Sequence, residues 1–188
     1  MSDEAPIPGP AVALLELESI ARGFIAADAL VKRAPVRIAQ AEPITPGKYL
    51  LLFSGGVAEV EESFAAGVEA AGATLIDKLL LPYAAEALVR GLTGRFHSGL
   101  GESVGVVETH TVAAALLAAD TALKRADVRL TGMQLARGIG GKGYFTLTGS
   151  LHMVEAALEA VALAVPQPLL VATELIQRPH PDLKGPVL

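Results

Sequence analysis

Residues 138–143 suggest nucleotide chemistry, because they read G-I-G-G-K-G and satisfy the pattern G-x-G-x-x-G. In a dinucleotide-binding fold this pattern follows a strand and opens a helix, whose N-terminus meets the pyrophosphate. Here it is followed by Tyr144-Phe-Thr-Leu-Thr148, an alternation typical of a strand. We therefore interpret the glycines as a turn between two strands and do not expect a dinucleotide site.

The histidine and hydroxyl side chains form no recognisable catalytic or metal-binding pattern. The histidines are His97, His110, His152 and His180, and no two have the i, i+4 spacing of helical metal ligands. No serine lies in the G-x-S-x-G context of a nucleophile elbow. The sequence contains no cysteine, which removes thiolate catalysis, disulfides and iron–sulfur ligation. We expect no catalytic residue, no metal and no cofactor.

Several charged residues recur with a spacing of 92 residues. They are Glu16 and Glu108, Asp28 and Asp120, Lys32 and Lys124, and Arg33 and Arg125. The glutamates end a predicted strand, and each aspartate precedes its lysine by one helical turn, the spacing of an i, i+4 ion pair. The lysine–arginine pairs end a helix, where cations suit the helix dipole. The same pair repeated once per domain could equally mark symmetric assembly edges.

These residues belong to a longer internal repeat. Residues 11–38 align without a gap with residues 103–130 and share 11 of 28 positions. Such a spacing exceeds the period of about 20–50 residues found in solenoids and matches a small domain. We predict a first domain over residues 10–90, a linker over residues 91–102 and a second domain over residues 103–183.

Hydrophobic periodicity predicts the same elements in both repeats. The predicted strands cover residues 11–17, 36–42, 48–53 and 74–81, then 104–109, 128–134, 143–148 and 169–176. Two helices interrupt each set. The order β-α-β-β-α-β indicates an α+β fold of two tandem ferredoxin-like domains, each a four-stranded antiparallel sheet with its helices on one face.

Two side-chain patterns place the first helix of each repeat. Ser19 and Thr111 are predicted N-caps. In the first repeat an apolar stripe at helical spacing is predicted, consisting of Ile20, Phe24, Ala27 and Val31. The corresponding stripe of the second repeat consists of Val112, Leu116, Ala119 and Leu123.

Composition points to self-association and away from nucleic acid or membrane. Of the 188 residues 52% are hydrophobic and 19% charged, so each small domain has apolar surface to spare. Aromatic residues make up 4%, the net charge is −5 and no basic stripe stands out, which argues against a nucleic-acid partner. No apolar run reaches the ~20 residues of a membrane span, and the first residues do not resemble a secretory signal. We expect a cytoplasmic protein.

Both repeats resemble a known family, the shell proteins of bacterial microcompartments. The resemblance is carried by A-A-D-x-x-x-K-x-A-x-V, at residues 26–36 and 118–128, and by the tail Arg178-Pro-His-Pro-Asp-Leu183. It covers residues 10–183. Two fused copies resemble the tandem class, which forms trimers that mimic a hexamer, and the strand–helix start of each repeat resembles the unpermuted type. Some members of that type hold an iron–sulfur cluster through a cysteine, which this sequence lacks.

The resemblance also implies roles for particular residues. A tile-edge interface would involve Lys32 and Lys124, their neighbours Arg33 and Arg125, and Arg178. The first repeat has Leu81-Pro82-Tyr83 where the second has its arginine, so the two kinds of edge would differ. A pore at the ring axis would be lined by the loops between the second and third strands, through Thr45, Pro46, Gly47, Lys48, Gly140, Gly141 and Lys142. The lysines would supply six ammonium groups and favour small anions, or would point away from the axis.

The expected function is therefore structural. The protein would form a homotrimeric tile and pack edge to edge with hexameric and pentameric shell proteins of the same microcompartment. Two alternatives remain: a trimeric small-molecule-binding signalling module, and an enzyme with a ligand at the domain junction. The first alternative requires a conspicuous flexible loop and a ligand-clasping set of basic residues, and the sequence shows neither. A pocket containing Asp28 or His110 would favour the second.

Overall fold

The computed structural model describes residues 9–183. The chain divides into two compact units between Ala84 and Ala85, which lies before the boundary expected from the sequence at residue 90. Each unit contains one four-stranded sheet. The predicted α+β order β-α-β-β-α-β is confirmed in both units.

The first unit contains four strands and two helices. They are β1 (Ala11–Leu17), α1 (Ile20–Arg33), β2 (Arg37–Ile44), β3 (Lys48–Gly55), α2 (Val57–Ala71) and β4 (Leu75–Leu81). The strand order is β2-β3-β1-β4, and every neighbouring pair is antiparallel. The start of β3, which holds Lys48, and the end of β1, which holds Glu16, therefore lie at the same end of two adjacent strands.

The second unit repeats this architecture and adds a helix in front of it. Its elements are α3 (Glu86–Leu92), β5 (Ser103–Thr109), α4 (Val112–Arg125), β6 (Arg129–Leu135), β7 (Gly143–Gly149), α5 (Leu151–Ala164) and β8 (Leu170–Gln177). The strand order is β6-β7-β5-β8. Helix α3, which the sequence did not predict, contacts β6 and α4. Leu88 buries its side chain there, and the backbone N–H of Ala85 donates to Asp120 Oδ1 at 2.7 Å.

Alternation along β1 builds the core of the first unit. Ala11, Ala13, Leu15 and Leu17 belong to one buried cluster with residues of both helices, as expected where successive side chains point to opposite faces of a strand. The intervening residues Val12 and Leu14 are also buried. Both faces of β1 are thus buried, and Glu16 is its one charged residue.

The caps of α1 and α4 agree with the prediction. Ser19 accepts a hydrogen bond from the backbone N–H of Arg22 at 3.2 Å, and Thr111 accepts one from Ala114 at 3.1 Å. Both residues have extended backbone, so their side-chain oxygens satisfy one of the free N–H groups of the first turn.

The prediction that one apolar stripe of α1 faces the core is wrong for most of its members, and only Ala27 packs against the buried cluster. Ile20, Phe24 and Val31 are exposed, whereas Gly23 and Leu30 are buried. The reason is that Gly23 lets α1 approach the sheet: a Cβ atom there would lie 2.3 Å from the ring of Tyr49. The helix buries Gly23, Ala26 and Leu30 and leaves a second apolar row uncovered.

Among residues 9–183, no helix combines the length and apolar character needed to cross a membrane. The longest helix in that range, α2, covers Val57–Ala71 and carries four glutamates.

Replacing a side chain of this core should cost far more than replacing an exposed one. Leu30→Ala should lower the free energy of unfolding by about 2–5 kcal/mol, because the cavity left beside α2 and the sheet cannot close completely. Ile76→Ala, at an exposed strand position, should change it by about 0.5 kcal/mol or less. Urea unfolding followed by circular dichroism measures both. Equal losses would contradict the assignment of the buried face.

Candidate functional site

The loop between β2 and β3 presents three of the predicted pore residues to solvent. Thr45, Pro46 and Gly47 are all exposed. The Thr45–Pro46 bond is cis, and Gly47 has a φ of +112°, a conformation that favours glycine. The N–H of Gly47 closes the turn on the carbonyl of Ile44 at 2.8 Å. This loop is a tight, small projection at one end of the sheet.

The corresponding loop of the second unit is longer and rich in glycine. It runs from Ala136 to Lys142, and β7 begins at Gly143. The interpretation of G-x-G-x-x-G as a turn between strands is confirmed. Gly140 and Gly141 have positive φ, and the N–H of Ala136 donates to the carbonyl of Lys142 at 2.8 Å, which closes the loop at its base.

The lysines of these loops are ion-paired within their own units. Lys48 Nζ lies 3.5 Å from Glu16 Oε2, and Lys142 Nζ lies 2.7 Å from Glu108 Oε1. Strand register explains the pairing. Glu16 is directly opposite Leu50, so Lys48, two residues away, shares its face of the sheet. The recurrence of both charges in both repeats was a signal for this contact that the sequence analysis did not use.

The two ion pairs differ in burial. The side chain of Glu16 is 0% exposed, whereas that of Glu108 is 35% exposed. A buried carboxylate needs its counter-charge much more than a partly solvated one, because desolvation penalises an isolated ion. Loss of the lysine should therefore destabilise the first unit much more than the second.

The predicted edge lysines lie at helix ends and pair with aspartate, as the spacing predicted. Lys32 Nζ lies 2.6 Å from Asp28 Oδ2, and Lys124 Nζ lies 2.6 Å from Asp120 Oδ2. Asp120 is buried and also accepts the hydrogen bond from the N–H of Ala85 at the start of α3. The first repeat thus has an ion pair on the surface, whereas in the second repeat the aspartate of the pair also contacts the start of α3.

The predicted edge arginines are exposed but not equivalent. Arg33 forms an ion pair with Glu62 of α2, and Arg125 occupies the last turn of α4. Arg178 follows β8 with a φ of +47°, and its N–H donates to the carbonyl of Glu102 at 2.8 Å. This bond fixes the backbone from which the Arg178 side chain extends.

The exposed face of α1 was missed as a site and has a buried counterpart. Phe24 is 61% exposed, whereas the equivalent Leu116 of α4 is 0% exposed. Ile20 is exposed and its equivalent Val112 is buried. A surface that one repeat buries and the other leaves open is a candidate interface, since large exposed apolar side chains that lie together mark contact sites. The signal in the sequence was an apolar stripe on a helix whose other face carries small residues.

Phe24 is held in place by its neighbour in the sheet. Its ring centroid lies 5.2 Å from that of Tyr49, with the planes inclined by 48°, a tilted aromatic arrangement. Burial raises the pKa of the Tyr49 phenol above its usual 10.0, and the charge of Glu42 raises it further. Tyr49 therefore stays neutral at ordinary pH and supports Phe24 from below.

Within residues 9–183, no group of three His, Asp or Glu side chains could hold a metal ion. His97, His110 and His152 lie in different elements or loops.

Comparison with known proteins identifies both units. A model of the BMC domain matches residues 11–84 and 103–179. The bacterial microcompartment shell protein PduT of Citrobacter freundii is 37% identical over 174 residues, which is 92% of this chain and 95% of that protein. A microcompartment protein of Desulfitobacterium hafniense DCB superposes with a TM-score of 0.82 at 37% identity, covering 92% of this chain and 97% of that one. The fused permuted hexameric shell protein of the RMM microcompartment superposes at 0.62 with 21% identity, over 82% and 80% of the chains, and shares the fold.

The burial difference between the two ion pairs predicts unequal effects of one substitution. Lys48→Ala should lower the free energy of unfolding by about 3 kcal/mol, because Glu16 loses its lysine while fully buried. Lys142→Ala, the matched variant in the second repeat, should cost about 0–1 kcal/mol, because water reaches Glu108. Chemical unfolding at one protein concentration measures both values. A larger loss for Lys142→Ala would contradict this account.

Proposed function

The chain belongs to the shell proteins of bacterial microcompartments, and on that premise we propose that three copies close into a ring of six domains. Such a ring is a pseudohexameric tile of the shell. The relative from Citrobacter freundii is a shell protein, and the proposed tile is a structural component and not an enzyme. It lies in the cytoplasm, in the shell itself.

The observation that carries the proposal is the uncovered apolar face of α1. Phe24 and Ile20 are exposed, although the equivalent Leu116 and Val112 are buried. The first helix of each repeat has the same apolar surface, and only the second repeat has it covered, so the surface on α1 needs a covering partner. In a cyclic ring, the copy of this surface left open on one chain is covered by the next chain, so the ring leaves none unsatisfied.

A complementary surface exists on the second unit. Leu14 and Leu50 on the helix-free face of the first sheet are buried, whereas the equivalent Val106 and Tyr144 are partly exposed. We place the α1 face of one chain against this half-open face of the next. The contact is heterologous, of the head-to-tail kind that closes into rings.

The outer edges of the ring would carry the repeated cations. Lys32, Lys124 and Arg178 remain the proposed contacts with neighbouring tiles, with Arg33 and Arg125 beside them. All five are exposed. Because Arg178 has no counterpart in the first repeat, alternate edges would differ chemically. The proposed partners are further copies of the trimer and the hexameric and pentameric proteins of the same shell.

The loops between the second and third strands would surround the axis. We propose that Thr45, Pro46 and Gly47 alternate around a central pore with Gly140 and Gly141, with Lys48 and Lys142 behind them. Each lysine is paired with a glutamate, so its field at the axis is weaker than that of a free ammonium. Selection of small metabolites would then depend more on loop size than on a ring of positive charge.

Phe24→Glu tests the ring directly. A wild-type chain of 19.3 kDa should give a mass of about 58 kDa by light scattering, three times that of one chain. The variant should give the monomer mass, because a carboxylate at the centre of an apolar contact is desolvated without a partner. The matched control is Leu163→Glu: Leu163 is 89% exposed, and its equivalent in the first repeat is Glu69. A wild-type monomer, or equal effects of both variants, would contradict the ring.

Edge contacts are tested separately from ring closure. The double variant Lys32→Ala, Lys124→Ala should keep the trimer mass and lose assembly into larger sheets, measured as the protein sedimented in a low-salt buffer, because cations exposed at an edge contribute to contacts between tiles and not within one. Lys78→Ala, which removes an exposed lysine of β4, is the control and should sediment like the wild type. Unchanged sedimentation of the double variant would remove these lysines from the edge.

A further inference from the structure

We propose that the second unit carries a binding groove for a phosphorylated small molecule, at the C-terminal end of α3. The groove has a volume of about 350 Å³ and is lined by Arg90, Arg95, His97 and Arg129, with Phe96 and Leu130 supplying apolar surface. Its volume lies at the lower end of the range typical of small-molecule sites, about 300–1,000 Å³. This site goes beyond the proposed tile, which needs none of these side chains.

The segment after α3 is held against the edge strand of the sheet. The N–H of His97 donates to the carbonyl of Leu130 at 2.9 Å, and the N–H groups of Gly94 and Arg95 donate to carbonyls at the end of α3. Gly91 packs so closely that a Cβ atom there would lie 2.7 Å from Leu130 Cδ2. These contacts give the basic side chains a fixed backbone, which lowers the entropy lost when a ligand binds.

The charges of the groove are incompletely balanced. Arg90 forms an ion pair with Glu86, but among residues 9–183 no carboxylate pairs with Arg95 or Arg129. Arg129 Nη1 lies 3.2 Å from His97 Nε2; because an arginine can only donate, the histidine nitrogen accepts. A positive cluster in a chain with a net charge of −5 stabilises an anion that enters it.

The residue types favour a phosphate group. The planar guanidinium group has donors in a fork that matches the oxygens of phosphate, and charge-assisted bonds of this kind are stronger than neutral ones. Arg95 and Arg129 approach the groove from a loop and from β6 respectively, so they can hold one phosphate from two sides. Phe96 and Leu130 line the same groove and can contact the organic part of a phosphate ester.

The groove belongs to the part of the chain that differs between the repeats. Residues 85–102 lie between the two segments that match the BMC domain, and they contribute α3, Arg90, Arg95 and His97. Arg129 has the counterpart Arg37 in the first repeat, which serves as an internal control. A ring of three chains would carry three such grooves.

The proposal is tested by calorimetric titration of the full-length protein with phenyl phosphate and, separately, with inorganic phosphate, in a phosphate-free buffer at low ionic strength. We expect saturable binding with one site per chain. Arg95→Gln should raise the dissociation constant about tenfold or more, since a charge-assisted contact to the phosphate is lost. Arg37→Gln should leave it unchanged. Circular dichroism checks that the variants are folded. Because Arg95 is exposed, we expect Arg95→Gln to leave the fold intact.

Tighter binding of phenyl phosphate than of inorganic phosphate supports an ester ligand and a role for Phe96. Equal binding of the two supports a site for the phosphate group alone. Absence of saturable binding of either probe overturns the proposal, as does an equal effect of Arg95→Gln and Arg37→Gln. None of these outcomes depends on the mass of the protein, so the groove can fail while the tile stands, and the reverse.

Discussion

A four-stranded sheet with both helices on one side leaves its other face to be covered by a different surface, and the remaining features of this molecule follow from that need. In the first unit the helix-free face is buried, with Leu14 and Leu50 inaccessible to solvent. In the second unit the same positions hold Val106 and Tyr144, which are partly exposed. The helices show the reverse pattern, since α4 is covered where α1 is open. Apolar surface therefore remains on both units, and burying it is the driving force available for assembly.

Duplication allowed the two copies of each position to take different roles. Glu16 is fully buried and pairs with a mostly buried Lys48, whereas Glu108 and Lys142 form the same pair in contact with water. Asp120 keeps the partnership with Lys124 and in addition accepts a hydrogen bond at the start of α3. The same two ion pairs therefore have different surroundings in the two repeats. A single-domain protein of the same fold cannot separate these roles, because every copy must satisfy all of them.

The order of elements was predictable from two signals in the sequence. Hydrophobic residues alternate within the strands, and the whole pattern recurs after 92 residues. The caps Ser19 and Thr111 were predictable because capping is local. The covered side of α1 was not, since periodicity marks an apolar stripe but does not say what lies against it. Here Gly23 decides, through a close approach to Tyr49 that appears only in three dimensions. The Glu16–Lys48 pair needed the strand register, and the arginine groove needed the folded path of the segment that follows α3.

The asymmetry of the repeats has a genetic consequence. In a symmetric hexamer built from one domain, a single codon change reaches all six positions around the ring at once. In the proposed ring of three duplicated chains, a change at Lys142 or Arg129 reaches alternate positions only, and the matching residue of the other repeat is left intact. A substitution in one repeat would therefore change a loop, edge or groove in three of the six domains, while the other three domains keep the unchanged residue.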